Sequence, residues 1–335
     1  MRTPGDGAIP TATGTNKSPA RRGCARWLPC AVCILCVLVL PPLAQSRQPP
    51  GDSPLELIVL ASGGPRASAR GSTSYIVLLD GTPRILIDAG ANAFVEIGKL
   101  NLSLDQMDIV LLTHLHIDHT SDLPAIFNER ALGASNAIKW RIFGPNGAGQ
   151  FPSTSKFIHT LFDPGGIYAY QRTFGQDETV NATDLAITLA SPQKEIVREG
   201  TGERSLTIEE FATHHDDCPS VAYRINYKSR SITFAGDMDA SALPNLEHLA
   251  KETDLLVVHA AVLDPPGSPA ILYTLHTAPA KLGEAARAAG VKHLLLSHIP
   301  GSVEAREPEV NRSIRRSYKG PIEFASTGLR LPLPR

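Results

Sequence analysis

Residues Thr113 to Pro124 read Thr-His-Leu-His-Ile-Asp-His-Thr-Ser-Asp-Leu-Pro, so His114, His116, Asp118 and His119 fall within six positions. They follow directly on the largely apolar run Met107 to Leu112. A strand of that kind delivers the chain to a rigid sheet edge, where the next loop can fold back and aim several side chains at one point. Neutral imidazole and carboxylate are ligands that zinc favours at neutral pH. His114 and His116, two apart in extended chain, point the same way and can share one ion. Asp118 and His119, past the bend, can face a second. Scattered surface histidines are a poor account of such spacing.

A two-zinc site needs roughly three protein ligands per metal plus a bridging group, and the cluster supplies four. Further ligands are therefore expected at other strand ends. His214 or His215 precedes an expected strand Val221 to Tyr227, Asp237 follows Ser231 to Ala235, and His298 follows His293 to Ser297. Each lies beside a β-branched or leucine-rich run, which is how separate strands converge on one edge. Gly236 permits close backbone approach just before Asp237.

On these residues the chain resembles the metallo-β-lactamase superfamily. Leu55 to Gly64 and Gly71 to Asp88, with Asp88-Ala89-Gly90, look like its opening strands. The resemblance implies a four-layer αββα sandwich. It also implies that His114, His116 and His215 hold one zinc, that Asp118, His119 and His298 hold the other, and that Asp237 bridges them. Within the superfamily the chain is most similar to the ribonuclease Z and phosphodiesterase-like branch. That similarity runs through His215, Cys218-Pro219, Tyr223-Arg224, Ala235-Gly236-Asp237, Leu275-His276-Thr277 with Gly283, and Leu296-Ser297-His298. The spacing to Pro219 and Tyr223 favours His215 over His214. His276 is implied to sit beside the metals and donate to the leaving group, against the alternative of a capping or core histidine. One departure stands out: ribonuclease Z proteins carry Glu after the position of His259, and here Ala260 stands there. A long basic arm for transfer RNA is not evident.

With 335 residues, 42% of them hydrophobic, the chain is long enough for one large α/β domain, expected over 55–335. A net charge of -1 supplies no general cationic field, which argues against strong nucleic-acid binding. Residues 1–46 carry Arg21, Arg22 and Arg26 before the apolar run Leu28 to Leu40, then Ala44-Gln45-Ser46. This is the layout of a signal peptide, with an uncleaved membrane anchor as the alternative. Secretion or a periplasmic location follows, with 47–54 as a linker. Cleavage would remove Cys24, Cys30, Cys33 and Cys36 and leave only Cys218, expected to pack as a small apolar residue.

Along the rest, helices are expected at Ala93 to Leu100, Leu123 to Leu132, Pro279 to Ala289 with Gly290 as C-cap, and Glu307 to Tyr318. Thr120 or Ser121 is the expected N-cap of the second. Single strands are expected at Arg141 to Phe143 and Ile322 to Leu331. The aromatic-rich stretch Ala148 to Gln176 includes a helix, Thr154 to Phe162, that either forms a flap over the metals or packs on the sheet. His259 ends an apolar strand and reads as a supporting or core residue. Asp88 or Asp122 could fix imidazole tautomers.

The expected chemistry is hydrolysis by a hydroxide shared between two Zn2+ ions, with Mn2+ or Fe2+ as alternatives. No Gly-x-Ser-x-Gly elbow suggests a serine nucleophile. Asp118 is read first as a ligand and second as a base orienting the hydroxide. The expected substrate is a phosphodiester or related small ester. Lactone, sulfate-ester or β-lactam hydrolysis is a rival on the same centre, iron redox chemistry a second, and a non-catalytic metal-binding protein a third. The oligomeric state stays open, a homodimer being compatible.

Overall fold

The first strand, β1 (Leu55–Ala61), is buried on both faces. Leu55, Leu57 and Val59 point into one apolar cluster while Ile58 and Leu60 point into another. That period of two, with no polar face, demands cover on each side. The computed structural model, which describes residues 53–133, 139–173, 179–185 and 188–334, supplies it as a four-layer sandwich. The expected export segment, most of the linker, Cys24, Cys30, Cys33, Cys36 and Phe174 lie outside the described residues.

The first sheet runs in the order β14 (Arg330–Leu333), β1, β2 (Ser74–Leu79), β3 (Thr82–Ala89), β4 (Ile109–Leu111), β5 (Lys139–Pro145) and β6 (Thr179–Leu185). The second runs β13 (Ile322–Phe324), β12 (Leu294–Ser297), β11 (Leu255–His259), β10 (Arg230–Phe234), β9 (Cys218–Tyr227), β8 (Leu206–His215) and β7 (Lys194–Glu199). Between them, Leu57, Val59, Ile85, Ile109 and Leu111 share a cluster with Val221, Tyr223, Ile232, Val257 and Leu295. Helices α1 (Ala93–Lys99), α2 (Leu123–Gly133) and α3 (Thr154–Phe162) share the outer cluster of the first sheet. Helices α4 (Leu243–Leu249), α5 (Pro279–Ala288) and α7 (Glu307–Ile314) cover the second, and the single turn α6 (Gly301–Glu304) adds Val303.

What positions the site is parallelism. Strands β3, β4 and β5 are parallel in one sheet, and β10, β11 and β12 in the other. Their C-terminal ends open onto one edge, as parallel strands of α/β proteins do.

Several expectations need correction. Ile322 to Leu331 is not one strand. Gly328 turns the chain with φ +79, and β13 joins the second sheet while β14 crosses to pair with β1. The last expected helix stops at Ile314, with Ser317 and Tyr318 held by turn bonds to the Ile314 carbonyl. Thr120 does not cap α2; its hydroxyl donates back to the His116 carbonyl at 3.1 Å. Of the two readings of α3, sheet packing is the one found: Ile158, Leu161 and Phe162 are buried with Phe127 and Trp140. Strands β6 and β7 carry mixed polar and charged residues, and they are the outermost strands of their sheets, where one side needs no apolar face.

Candidate metal centre

Each cluster residue arrives on an element whose sequence explains its aim. Past β4, Thr113 ends the strand by donating its backbone N–H to Asp88 Oδ1 and its hydroxyl to Asp88 Oδ2, both at 2.8 Å. His114 and His116 follow in extended chain, and Asp118 and His119 sit in a short 3-10 turn, Ile117–His119. His215 is the last residue of β8, paired with Cys218 across a tight hairpin. Asp237 follows β10 through Gly236, where φ is +65 and a Cβ, if present, would come 2.9 Å from Thr113 Cβ, so no side chain fits. His298 follows β12 and itself adopts φ +53, uncommon for a non-glycine residue.

The side chains meet. Asp237 Oδ2 lies 3.7 Å from His114 Nε2, 3.6 Å from both His119 Nε2 and His215 Nε2, and 3.4 Å from His298 Nε2. On one side of it, His116 Nδ1 stands 3.1 Å from His114 Nε2 and 3.3 Å from His215 Nε2. On the other, Asp118 Oδ2 stands 3.2 Å from His298 Nε2 and 3.6 Å from His119 Nε2. His214, by contrast, turns away to Asp239 at 2.7 Å. Adjacent strand residues face opposite ways, so only one of the pair could reach the centre.

Around this group a set of supports fixes the rings. His119 Nδ1 donates to Asp88 Oδ2 at 2.7 Å, and His215 Nδ1 donates to the Leu275 carbonyl at 2.7 Å. His114 Nδ1 meets the Thr113 hydroxyl at 3.1 Å. Such bonds leave Nε2 of each ring facing inward. His259 Nδ1 holds Asp237 Oδ1 at 2.5 Å, and its ring stacks on His298. His276 brings Nδ1 within 3.7 Å of the same Asp237 oxygen. Asp122 is not among the supports: it accepts the Phe94 backbone N–H at 3.1 Å at the start of α1.

The donor set suits a divalent cation. His119 Nε2 and His276 Nδ1 are buried with no hydrogen-bond partner among the described residues. Burial would raise Asp237, but His298, His276, His119 and His259 hold its carboxyl well below the usual range. Burial also opposes Asp118, yet the His298 bond and the His119 charge keep it at about 2. For His119, burial is overcome by Asp88 and Asp237, which draw a proton and so would equally draw a cation. Burial instead pushes His114 well down and His276 to about 3, so these rings stay neutral and able to donate a lone pair. The groups His114, His116, His215 and His119, Asp237, His259, His298 each converge closely enough to hold one ion.

Comparison with known proteins agrees with this architecture. A profile described as a beta-lactamase superfamily domain matches residues 83–299. A ribonuclease Z of Mycobacterium sp. (strain KMS) is 25% identical over 283 residues, covering 81% of this chain and 93% of that one. An uncharacterised protein of Mycobacterium tuberculosis is 28% identical, covering 77% and 84% respectively. Among solved structures, the short form of human tRNase Z superposes with a TM-score of 0.63 at 19% identity, over 84% of this chain and all of that one (100%). The metallo-beta-lactamase fold protein YhfI of Bacillus subtilis gives 0.60 at 18%, over 83% and 99%. Profile, fold and a buried histidine and aspartate cluster suited to divalent metal agree: the chain belongs to the metallo-β-lactamase superfamily, with ribonuclease Z-like relatives, and is a metal-dependent hydrolase.

Proposed function

We propose that the chain is an exported hydrolase that holds two zinc ions and cleaves a small phosphodiester. The observation that carries the binuclear reading is Asp237 Oδ2, which stands within 3.7 Å of imidazoles from both halves of the cluster. His114, His116 and His215 would hold one ion and Asp118, His119 and His298 the other, with Asp237 shared. Bound there, such a pair lowers the pKa of water towards neutrality and polarises a phosphoryl oxygen.

The chain's own residues do the rest. Asp118, ionised at neutral pH, can also accept a proton from attacking water. His276 is a neutral ring at neutral pH, so it would donate a hydrogen bond that stabilises the charge developing on the leaving oxygen, while solvent water supplies that oxygen's proton. His276→Ala should then slow esters with poor alkoxide leaving groups far more than nitrophenyl esters. Equal losses on both, with metal content unchanged, would remove His276 from that role.

A phosphate ester is favoured by the relatives named ribonuclease Z and by a structural neighbour named a diphosphatase of the PhnP family, which superposes with a TM-score of 0.54 at 17% identity over 83% of this chain and 98% of that one. A small diester suits this chain better than RNA because its net charge is -1, Ala260 replaces the glutamate, and residues 1–46 read as an export signal. A screen of phosphodiester, sulfate, lactone and β-lactam substrates, with elemental analysis of the protein, tests the proposal. Fully active protein with no more than one tightly bound ion would sink the binuclear reading. Faster cleavage of transfer-RNA precursors than of any small diester would overturn the substrate.

A further inference from the structure

Three of the cluster imidazoles are aimed by a polar contact at Nδ1: His119 by Asp88, His215 by the Leu275 carbonyl, His114 by the Thr113 hydroxyl. His298 is different. Its Nδ1 is buried and has no hydrogen-bond partner among the described residues. Beside the ring instead runs Gly64, with no space for a side chain between them: a Cβ built on Gly64 would lie 3.0 Å from His298 Cε1 and 3.2 Å from Nδ1. On other sides the His298 ring stacks with His259 at 4.8 Å and 20°, and with His119 at 5.3 Å and 18°.

Gly64 cannot retreat. The Ser72 hydroxyl donates to its carbonyl at 3.2 Å, and the Thr73 N–H and hydroxyl both donate to the Gly63 carbonyl at 3.0 Å. Gly63 N–H in turn donates to the Gly71 carbonyl at 2.8 Å, and Ile299 N–H, next to His298, donates to the Ser62 carbonyl at 2.8 Å. No left-handed φ constrains Gly64 itself, so its identity reflects the ring beside it rather than its own backbone.

We infer that Gly64 is a positioning residue for the metal centre: it clamps the His298 imidazole on one side by leaving no space for any side chain between them, doing for this ligand what hydrogen bonds at Nδ1 do for His114, His119 and His215. The inference rests on the reading of His298 as a ligand. Any side chain at 64 must push the ring, because the loop that carries it is tied at both Gly63 and Gly64.

The test compares Gly64→Ala, Gly64→Val and His298→Ala with Gly98→Ala, a helix position where a Cβ meets nothing within 4 Å. Zinc affinity is measured by chelator competition on the full chain, the visible spectrum is read after cobalt substitution, and melting is followed without metal. Gly64→Ala should weaken one of the two ions about 10- to 100-fold, as loss of a ligand's support commonly does. Gly64→Val should lose that ion, with a changed cobalt spectrum in both variants, while metal-free melting of the alanine variant and everything in Gly98→Ala stay as in the parent. If the valine variant does not fold, the alanine decides alone. Unchanged affinity and spectrum in Gly64→Ala, with one ion lost in His298→Ala, would overturn the clamp. Both ions retained in His298→Ala would instead overturn the ligand reading beneath it.

Discussion

At one edge of the sandwich Arg84 and Arg141 each pair with both Asp108 and Glu199, with Arg84 at 2.9 and 3.3 Å and Arg141 at 2.5 Å from Asp108. At the other edge Asp88, Asp118 and Asp237 face imidazoles, and no Lys or Arg among the described residues pairs with them. Both are charged clusters at strand ends. The first balances two cations against two anions and is partly open to water, with side chains 20 to 34% exposed. The second is buried, rich in lone pairs and left with orphaned ring nitrogens. A self-neutralised network holds strands together, whereas an unbalanced buried one is built to be completed by something else.

The contrast breaks first at its strongest point. Asp237→Ala or His116→Ala should lower turnover by at least about 10³-fold and reduce bound metal, with little change in metal-free melting, because the sheets keep their own core. Retained activity in Asp237→Ala would remove the shared carboxylate from the reaction. His259→Ala comes next. Its ring holds Asp237 Oδ1 at 2.5 Å, so its loss should weaken metal binding about 10- to 100-fold, read by chelator competition. An unchanged affinity would make His259 a packing residue only.

A lone buried acid sharpens the comparison. Glu210, 3% exposed, has Oε2 without a partner among the described residues, and burial pushes its carboxyl up to about 7. The folded state therefore holds this proton more tightly than the unfolded chain. Its contribution to stability is whole below about pH 4.5 and lost as pH rises through about 7, amounting to at most about 3 kcal/mol. Glu210→Gln should flatten that part of the pH–stability curve, measured by denaturant titration. A parallel curve in the variant would refute the assignment. The smallest effect belongs to the balanced edge. Arg141→Ala should cost about 1 kcal/mol and leave turnover and metal content intact, since Arg84 still reaches both acids.

Much of this convergence was readable in the chain because the clustering is local. His114 to His119 are contiguous, and Asp237 and His298 each directly follow a short apolar strand or its terminal glycine. The supports were harder to read, for a physical reason. Asp88 and Asp122 look alike in sequence, and only the fold brings one against His119 and the other to the start of α1. His259 ends an apolar strand like any core residue, and its bond to Asp237 spans 22 positions. Gly64 carries no side chain to announce a role. The ends of β6, β7, β13 and β14 were missed or merged because edge strands need only one apolar face, and Gly328 breaks the last pair without breaking its apolar pattern.

The crossing of β14 has a consequence in time. Leu55 pairs with Leu333 and Leu57 with Leu331, so the earliest described strand of the domain waits for one of the latest. His298 is also delivered late, by β12, and Ile299 beside it bonds back to Ser62 at the end of the first strand. During synthesis the histidines of 114 to 119 emerge long before the partners that complete their surroundings, and loop-closing contacts of this span form slowly. The centre therefore cannot be complete before residue 298 has been made, and a chain cut short ahead of it would carry His114 to His119 without the imidazole that faces Asp118.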